Sequence, residues 1–377
     1  MPGPIPILLM VRELGPGGTE RQLTETAKKL DRSLFAPHVG CFHDGGMRAS
    51  ELRDAGVPIV RFPVHSFGSL SALRGARQLG RYLKENHIQI VHTFDVPMNT
   101  FGVLASRLYR TPMVLSSQRA FRDLVSPAYR RLLRLTDRLA DGIVVNCAAI
   151  REHLIADYGV PGSRIHLCYN GIDTSVFRGT HRVPKVAGSQ VVIGGIYALR
   201  PEKNLETLVE AFAQVHARKP ETRLLIVGSG STEGLLRARA AALGVASSCR
   251  FEPASSDVVG WLGKIDIFVL PSSSEALSNS LMEAMACGCA VVASRIGGNP
   301  ELITNNEIGR LFKAGDAQDL ASHLETLASD EGLRYALGLA ASARIRNEFS
   351  VDKAALRMGE IYLHLESRSR ERAKPET

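Results

Sequence analysis

The sequence predicts an α/β protein with two doubly wound parallel sheets. Apolar runs typical of strands alternate with amphipathic helical patterns along the whole chain, which favours parallel sheets covered by helices on both faces. The alternation starts again at 191–196, after a polar stretch with Gly and Pro at 180–188 that is typical of a linker. The length of 377 residues also suits two domains, each large enough to bury its own core.

The first half begins with the apolar run 5–11, a Gly-rich turn and a helical pattern. Leu23, Ala27 and Leu30 share one face of that helix, as expected for a helix packed on a sheet. Strands are predicted at 5–11, 36–42, 58–62, 88–93, 113–116 and 142–145, and helices at 19–30, 70–85 and 98–108.

The second half repeats this organisation. Strands are predicted at 191–196, 223–227, 265–270 and 290–294, and helices at 205–218, 234–243, 280–286, 320–327 and 333–349. A last amphipathic helix at 351–365 precedes a charged tail, 366–377, which we expect to be frayed. Because ligands of such sheets bind at the carboxyl ends of the strands, the loops there are the candidate sites.

Composition is that of an ordinary globular protein. The chain has 45% hydrophobic and 22% charged residues, and no run of about 18 apolar residues predicts a transmembrane helix. Its start lacks a basic region and soon meets Arg12 and Glu13, which predicts a first strand and not a signal peptide. The six cysteines form no CxxC pair, so we predict buried thiols in a reducing cytoplasm.

The net charge of +8 is compatible with nucleic acid, an anionic membrane or phosphorylated ligands. The sequence contains no zinc-finger spacing and no aromatic RNA-binding motif, and its single Trp and 6% aromatic residues offer little for base stacking. Nucleic-acid binding is therefore a rival that the sequence does not favour, and we expect no nucleic-acid partner.

The segment 271–288 carries two glutamates, Glu275 and Glu283, eight positions apart. Glu275 follows a predicted buried strand, and Glu283 lies in a short helical pattern that begins near Ser278. Such a strand–loop–helix unit directs backbone N–H groups and the positive end of a helix dipole at a ligand, which suits the hydroxyls and phosphates of a nucleotide sugar. The alternatives are a capping box, Ser280-x-x-Glu283, and a solvated acid at Glu275.

Two Gly-containing turns are further candidates. Gly15-Pro-Gly17-Gly18-Thr19-Glu20 precedes the first helix, where adjacent glycines let the backbone approach an anionic ligand. It has neither the GxGxxG spacing nor the Lys of a P-loop, so a tight turn is the alternative. The other turn, Tyr169-Asn170-Gly171-Ile172-Asp173, falls near the crossover between the halves, where an architectural role is the default.

A pair of cations follows the first strand of the second half, in Arg200-Pro-Glu-Lys203-Asn204. Arg offers a planar fork to phosphate oxygens and Lys a point charge, so the two side chains together suit a diphosphate. The alternative is two solvated cations before a helix. Another Gly-rich strand exit, Gly297-Gly298-Asn-Pro-Glu301, follows the strand at 290–294.

In their order and spacing, these motifs resemble those of the retaining glycosyltransferases of family four, the glycosyl transferases group 1. The resemblance covers nearly the whole chain and implies the GT-B fold, with two Rossmann-like doubly wound domains that face each other across a cleft. We expect an acceptor-binding domain at 1–183 and a donor-binding domain at 184–350, with a C-terminal helix within 351–377 that crosses back to the first domain.

The resemblance also implies roles for matching residues. Arg200, Lys203 and Glu275 are assigned to catalysis: Arg200 and Lys203 would bind the donor diphosphate, and Glu275 would bind the hydroxyls of the transferred sugar. Glu283 would bind the ribose. The remaining donor contacts would come from backbone groups near Leu277, Ser278 and Asn279, from Gly17 and Gly18, and from Asn170 and Gly171 near the hinge.

One departure from the family pattern concerns His92. Many members carry His-x-His here, whereas this chain has His92-Thr93-Phe94-Asp95, so that Phe94 replaces the second histidine. We assign His92 to catalysis, with a buried structural histidine as the alternative. The candidate acceptor contacts are Asp95, Asn99 and Arg119.

The predicted reaction is transfer of a hexose or N-acetylhexosamine from a nucleoside-diphosphate sugar to a glycan or lipid-linked acceptor. The sequence contains no Asp-x-Asp, so we expect no metal and no other cofactor, and leave stabilisation of the departing diphosphate to cations and a helix N-terminus. We favour attack on the same face of the sugar, and double displacement stays open. Rival functions are a non-catalytic nucleotide-sugar or anion binder, and an epimerase or phosphorylase on the same fold.

The stretch 127–139 is basic and amphipathic, with Arg131, Arg134 and Arg138 predicted on one face and Leu132, Leu135 and Leu139 on another. It suits docking on anionic lipid near a lipid-linked acceptor, and a solvated helix face is the alternative. We therefore expect a cytoplasmic protein, with peripheral attachment to the inner face of the membrane as a further possibility, and a place in polysaccharide synthesis by analogy.

Overall fold

The structure, a computed structural model, describes residues 3–179 and 190–373, with side chains described as far as residue 368. The chain divides into two compact units: unit 1 comprises Met1–Gly171 and Val351–Thr377, and unit 2 comprises Ile172–Ser350. The predicted linker at 180–188 and the predicted domain boundary after residue 183 lie outside the described residues.

Unit 1 is built on a seven-stranded parallel sheet, as the alternation predicted. The strand order is β3-β2-β1-β4-β5-β6-β7, so the direction of winding reverses between β1 and β4. The strands are β1 (Ile5–Glu13), β2 (Phe35–His43), β3 (Ile59–Arg61), β4 (Ile90–Thr93), β5 (Met113–Gln118), β6 (Gly142–Val145) and β7 (Ile165–Leu167).

Helices cover both faces of this sheet. The central strand β1 shows this directly, because Leu9 packs in one apolar cluster while its neighbour Met10 packs in another on the opposite face. The helices are α1 (Gly18–Lys29), α2 (Met47–Asp54), α3 (Leu70–Glu85), α4 (Val96–Leu108), α5 (Pro127–Leu139) and α6 (Ala148–Tyr158).

Unit 2 has a six-stranded parallel sheet in the order β10-β9-β8-β11-β12-β13. Its winding reverses between β8 and β11. The strands are β8 (Val191–Ala198), β9 (Thr222–Ser229), β10 (Cys249–Glu252), β11 (Ile267–Leu270), β12 (Ala290–Ser294) and β13 (Arg310–Phe312). The helices are α7 (Leu205–Arg218), α8 (Glu233–Ala242), α9 (Val258–Leu262), α10 (Asn279–Ala286), α11 (Asn299–Leu302), α12 (Ala317–Ser329) and α13 (Glu331–Glu348).

The last helix, α14 (Val351–Ala373), belongs to unit 1. Met358, Ile361 and Tyr362 join the same apolar cluster as Leu9. The helix continues past its predicted end at residue 365 through most of the stretch expected to be frayed, because that stretch is rich in the helix formers Glu, Arg and Ala. None of the helices within 3–179 and 190–373 is both long and apolar enough to cross a membrane.

Candidate functional site

The candidate donor residues of unit 2 lie at the carboxyl ends of β8 and β11, the two strands between which the winding reverses. The loop after β8 contains Arg200 and a short 3-10 turn, Pro201–Lys203, and the loop after β11 contains Glu275. Parallel neighbouring strands deliver both loops to one edge of the sheet. This edge is where open α/β sheets bind ligands.

An ion pair joins the two loops. Nζ of Lys203 lies 2.5 Å from Oε2 of Glu275, and the two side chains are only 20% and 15% exposed. The hydroxyl of Ser272 donates to the same carboxylate oxygen at 3.1 Å. The structure thus brings two predicted catalytic residues together, and it adds Ser272, which sequence reasoning missed because serine is common in loops.

The backbone around Glu275 is fixed by three further contacts. The Ser273 amide donates to the Glu202 carbonyl at 2.9 Å, which ties the two loops together. The Ser294 hydroxyl, at the end of β12, donates to the Ser272 carbonyl at 2.7 Å. Gly297 has a φ of +49°, and a Cβ there would collide with the Glu275 carbonyl oxygen. The Gly-rich exit from β12 therefore supports the Glu275 loop through close backbone approach.

Helix α10 begins beside Glu275. Ser278 is its N-cap, and the Ser278 hydroxyl accepts a hydrogen bond from the Leu281 amide at 3.3 Å. A capping box at Ser280 is therefore wrong, since the helix already includes that residue. Glu283 lies inside α10 and is only 6% exposed. The alternative of a solvated acid at Glu275 is also disfavoured, because that side chain is 15% exposed and paired with Lys203. Leu277 and Ser278 are buried, and Asn279 opens the helix.

Arg200 does not join the ion pair. Its side chain is 68% exposed and lies 4.0 Å from Glu202, while the Arg200 carbonyl accepts from the Lys203 amide within the turn. The guanidinium is therefore free to reorient toward an incoming anion, whereas Lys203 is already held.

In unit 1, Gly17 and Gly18 follow β1 and start α1 with Gly17 as N-cap. A Cβ at Gly17 would collide with the carboxylate of Glu20, which folds back over the helix start. Burial raises the pKa of Glu20. Because the end of the Glu20 side chain can move aside, this contact does not by itself require glycine at position 17.

Asp95 caps the neighbouring helix. Oδ1 accepts from the Met98 amide at 2.8 Å, and Oδ2 accepts from the Arg12 amide at 2.6 Å, which joins the start of α4 to the end of β1. Burial raises the pKa of Asp95 to about 6. These bonds give Asp95 a structural task, and its acceptor contact stays a prediction.

His92 is fully buried, and both ring nitrogens have partners. Nδ1 lies 2.8 Å from the Tyr362 hydroxyl, and Nε2 lies 2.8 Å from the Ser117 hydroxyl. Burial and the charge of Arg119 hold the pKa of His92 well below its usual range. These contacts favour the structural alternative for His92 and leave its catalytic assignment a prediction.

Asn99 is also buried. Its amide nitrogen donates to the Ser117 carbonyl at 2.8 Å, and its amide oxygen accepts from the Thr93 hydroxyl at 2.6 Å. The side chain therefore links β4, β5 and α4, and its contact with an acceptor stays a prediction as well.

Arg119 and Asn170 meet at the carboxyl edge of the unit 1 sheet. Nη1 of Arg119 donates to Oδ1 of Asn170 at 2.6 Å, and the guanidinium lies 5.0 Å from the centroid of the Phe94 ring. Its Nε is buried without a hydrogen-bond partner, and burial lowers the pKa of Arg119 to about 10. No carboxylate in the described part of the chain pairs with this half-buried charge.

Gly171 is held by a residue that sequence reasoning missed. The Gln22 side chain accepts from the Gly171 amide and donates to the Gly171 carbonyl, each at 2.9 Å. Gln22 is only 4% exposed on α1, so a polar residue on the buried face of a predicted helix was the available signal.

Helix α5 exposes both of its predicted faces. Leu132 and Leu135 are 39% and 45% exposed, and Arg131 and Arg138 are exposed beside them. Both sets therefore lie on the outer side of the helix, and Leu133, Thr136 and Asp137 provide the buried face. Within the described ranges, no group of His, Cys, Asp or Glu is arranged to hold a metal ion.

Family models match both halves of the chain. Glycosyltransferase Family 4 matches residues 16–176, and Glycosyl transferases group 1 matches residues 179–344. The two matches cover the segments that carry the candidate residues of each unit.

Among curated relatives, Sulfoquinovosyl transferase SQD2 of Arabidopsis thaliana is 28% identical over 67% of this chain and 52% of its own length. D-inositol 3-phosphate glycosyltransferase of Thermobispora bispora is 28% identical over 93% of this chain and 81% of its own. The chain thus spans about half the length of relatives such as SQD2. The crystal structure of Anabaena Alr3699/HepE in complex with UDP and glucose has a TM-score of 0.84, at 23% identity over 96% of this chain and 100% of that one. At this level of sequence identity, the similarity to the HepE structure is evidence for a shared fold.

Proposed function

Because the chain belongs to the glycosyltransferases of family 4, glycosyl transferases group 1, we propose that it moves a hexose or N-acetylhexosamine from a nucleoside-diphosphate sugar to a glycan or lipid-linked acceptor. The observation that carries the proposal is the Lys203–Glu275 ion pair at the carboxyl edge of unit 2. It offers a cation for phosphate oxygens and a carboxylate for sugar hydroxyls within one hydrogen-bonded pair, beside the N-terminus of α10.

The donor diphosphate is bound by Lys203 and Arg200. The Lys203 ammonium is held in place before the donor arrives, so little reorganisation is needed as negative charge develops on the leaving group. The exposed Arg200 guanidinium closes on the phosphates when they bind. These cations and the amides at the start of α10 supply the charge stabilisation that a metal ion supplies elsewhere, so the reaction proceeds without one.

Transfer proceeds with retention of the anomeric configuration. The bond between the sugar C1 and the phosphate oxygen breaks, and the acceptor oxygen forms a bond to C1 on the same face. The acceptor proton passes to a phosphate oxygen of the departing nucleoside diphosphate. Glu275 binds hydroxyls of the transferred sugar and Glu283 binds the ribose, while neither forms a bond to C1.

Unit 1 binds the acceptor by recognising an anionic group on the acceptor. Arg119 supports this, because its guanidinium is half-buried and its Nε is buried without a partner. The name of the Thermobispora relative specifies a phosphorylated acceptor, inositol 3-phosphate. A phosphate on a glycan or lipid-linked acceptor fits the same guanidinium fork.

The outer side of α5 favours work at a membrane surface. Exposed leucines beside exposed arginines allow apolar insertion together with attraction to anionic headgroups. The protein therefore acts in the cytoplasm, attached peripherally to the inner face of the membrane, where lipid-linked acceptors are found.

The first test is a thermal-shift screen with UDP, GDP and ADP and their sugars, with and without EDTA. UDP-glucose heads the list because the HepE structure holds UDP and glucose. A selective rise in melting temperature that EDTA leaves unchanged, followed by release of nucleoside diphosphate, supports the proposal. Binding without turnover would indicate a non-catalytic binder, a changed sugar without nucleotide release an epimerase, and no shift with any donor would overturn the donor assignment.

Lys203→Ala sharpens this test. We expect it to abolish the thermal shift or the turnover, whereas Lys219→Ala changes neither. Lys219 precedes β9, at the opposite edge of the same sheet, so it matches the substitution without touching the candidate site. Full turnover by Lys203→Ala would contradict the assignment.

A further inference from the structure

A basic cavity lies in unit 1, away from the edge that carries the acceptor candidates. Its volume is about 710 Å³, and its lining includes Arg107, Arg138, Asp141, Arg164 and Arg368. Met113 opens β5, Asp141 precedes β6 and Arg164 precedes β7, so the cavity is at the amino ends of these strands. Its size is that of a small-molecule site.

Two of the four arginines have structural partners. Arg107 pairs with Asp141 at 2.6 Å and donates to the Leu139 carbonyl at 2.7 Å. Arg164 donates to the carbonyls of Asp137 and Ala140 at the end of α5. Both therefore satisfy helix-terminal carbonyls that would otherwise lack donors.

The other two arginines have no such task. Arg138 and Arg368 are exposed, and neither forms an ion pair with a described residue. Four arginines and one aspartate leave the lining with three positive charges. A cavity lined by a net positive charge has a potential that attracts anions, and neither exposed arginine is explained by a packing or pairing role.

The neighbourhood of Arg368 is positive as well. Burial, and then the charges of His364, Arg357 and Arg368, lower the pKa of His166. The Nε2 atom of His166 is buried without a hydrogen-bond partner. The positive potential thus extends beyond the cavity lining into β7.

We propose that this basic cavity is a second ligand site, which binds a phosphate group through Arg138 and Arg368. The guanidinium fork matches phosphate oxygens, and Arg107 and Arg164 hold the rim rigid through their bonds to α5. The site lies at the opposite end of the strands from Arg119, so it is separate from the acceptor site proposed above. The phosphate belongs either to a soluble phosphorylated compound or to a lipid headgroup.

The test compares Arg138→Glu/Arg368→Glu with a control, Arg131→Glu/Arg134→Glu. The control changes the net charge equally at two exposed arginines of α5 that line no part of the cavity, so a general loss of membrane attraction by α5 affects the control as well. Calorimetry with inorganic pyrophosphate measures affinity for a soluble phosphate. Sedimentation with vesicles of phosphatidylglycerol and phosphatidylcholine measures affinity for a lipid headgroup. Pyrophosphate binding at the donor site contributes equally to the signal of every protein. Turnover of the donor verifies that both variants fold.

We expect the cavity variant to lose affinity about tenfold or more for one of the two probes, while the control loses far less. A loss confined to pyrophosphate assigns a soluble phosphate, and a loss confined to vesicles assigns a headgroup. Wild-type binding of both probes by the cavity variant overturns the proposal, as does an equal loss in the control or an absence of binding by the wild type. If the charge reversal fails to fold, Arg138→Gln/Arg368→Gln serves in its place.

Discussion

The ammonium nitrogen of Lys203 lies 2.5 Å from Oε2 of Glu275, although 72 residues separate them in the chain. The two side chains come from the loops after β8 and β11, where the winding of unit 2 reverses. Both are mostly shielded from water, and a shielded pair of this kind often adds little to stability, because desolvation offsets the attraction. Its value is better explained by function: it fixes a cation and a carboxylate at the edge where a ligand binds.

Lys203→Ala should therefore impair the reaction far more than the fold. Loss of one preorganised group that stabilises developing charge typically lowers kcat by about 10² to 10³. Initial rates of nucleoside-diphosphate release at saturating donor measure the effect, and the melting temperature reports the fold. A melting temperature that falls together with the rate would indicate a structural role instead.

Glu275→Gln tests whether the pair works as a unit. If it does, the double variant Lys203→Ala/Glu275→Gln should lose little more activity than the worse single variant, because groups that act together are not additive. Independent roles would give losses that multiply. The four proteins, wild type included, form a complete cycle for kcat.

Gly297→Ala should disturb the Glu275 loop. The residue has a φ of +49°, and an added Cβ meets the Glu275 carbonyl oxygen, so we expect a loss of about 1–3 kcal/mol in the free energy of unfolding. Donor affinity should fall as well, since the backbone at Glu275 must move. Denaturant unfolding and the thermal shift with donor measure the two effects.

Gly315→Ala is the matched control. Gly315 also has a positive φ, +79°, but an added Cβ there meets no atom within 4 Å. It should cost about 1 kcal/mol from backbone strain alone and leave donor binding unchanged. Equal loss of donor binding in both variants would show that the close approach at Gly297 has no special role.

Much of the site could be predicted because parallel strands deliver their exits to one edge. The order of motifs placed Lys203 and Glu275 at exits of unit 2, and the structure joins them. Gly297 could be identified as a special glycine, but not as the support of Glu275. That contact depends on φ and on the path of a distant loop, neither of which leaves a periodic pattern in the sequence.

The contacts of His92 could not be predicted from the sequence. Its partner Tyr362 is 270 residues away on α14, and no local pattern indicates this contact.

The strands β7 and β13 have three residues each, too few to show alternation, and were not predicted. Helix α2 was missed because its sequence, Met-Arg-Ala-Ser-Glu-Leu-Arg-Asp, has few apolar residues to define a face.

His92→Gln should flatten the dependence of stability on pH. Because the pKa of His92 is lowered in the folded state, the unfolded chain binds the proton first as the pH falls, so the wild type loses stability below about pH 6.5. One such group contributes at most about 1.4 kcal/mol per pH unit. Melting temperatures between about pH 7 and pH 5 measure the slope.

Other histidines with lowered pKa, His38, His166 and His323, contribute equally to wild type and variant. His43→Gln is the control, because it makes the same replacement at an exposed histidine. A His92→Gln slope that equals the wild-type slope would show that His92 takes up its proton in the folded state.

Arg119→Ala should remove selection for a phosphorylated acceptor. Among acceptors that differ only by a phosphate, the wild type should prefer the phosphorylated one, because the buried Nε of Arg119 has no partner in the protein. The variant should raise the KM for that acceptor about tenfold and leave its dephosphorylated counterpart unaffected. Nucleoside-diphosphate release with paired glycan and lipid-linked acceptors measures the ratio.

Arg119→Lys separates charge from shape. Lysine keeps the positive charge but lacks the planar fork, so it should recover only part of the preference. Hydrolysis of the donor without acceptor should change far less than the acceptor preference, because Arg119 is assigned to the acceptor and is linked to the donor contacts only through its bond to Asn170. If the acceptor preference survives Arg119→Ala, or if donor hydrolysis falls as much as the preference does, Arg119 acts by supporting Asn170 and Phe94 and does not bind the acceptor.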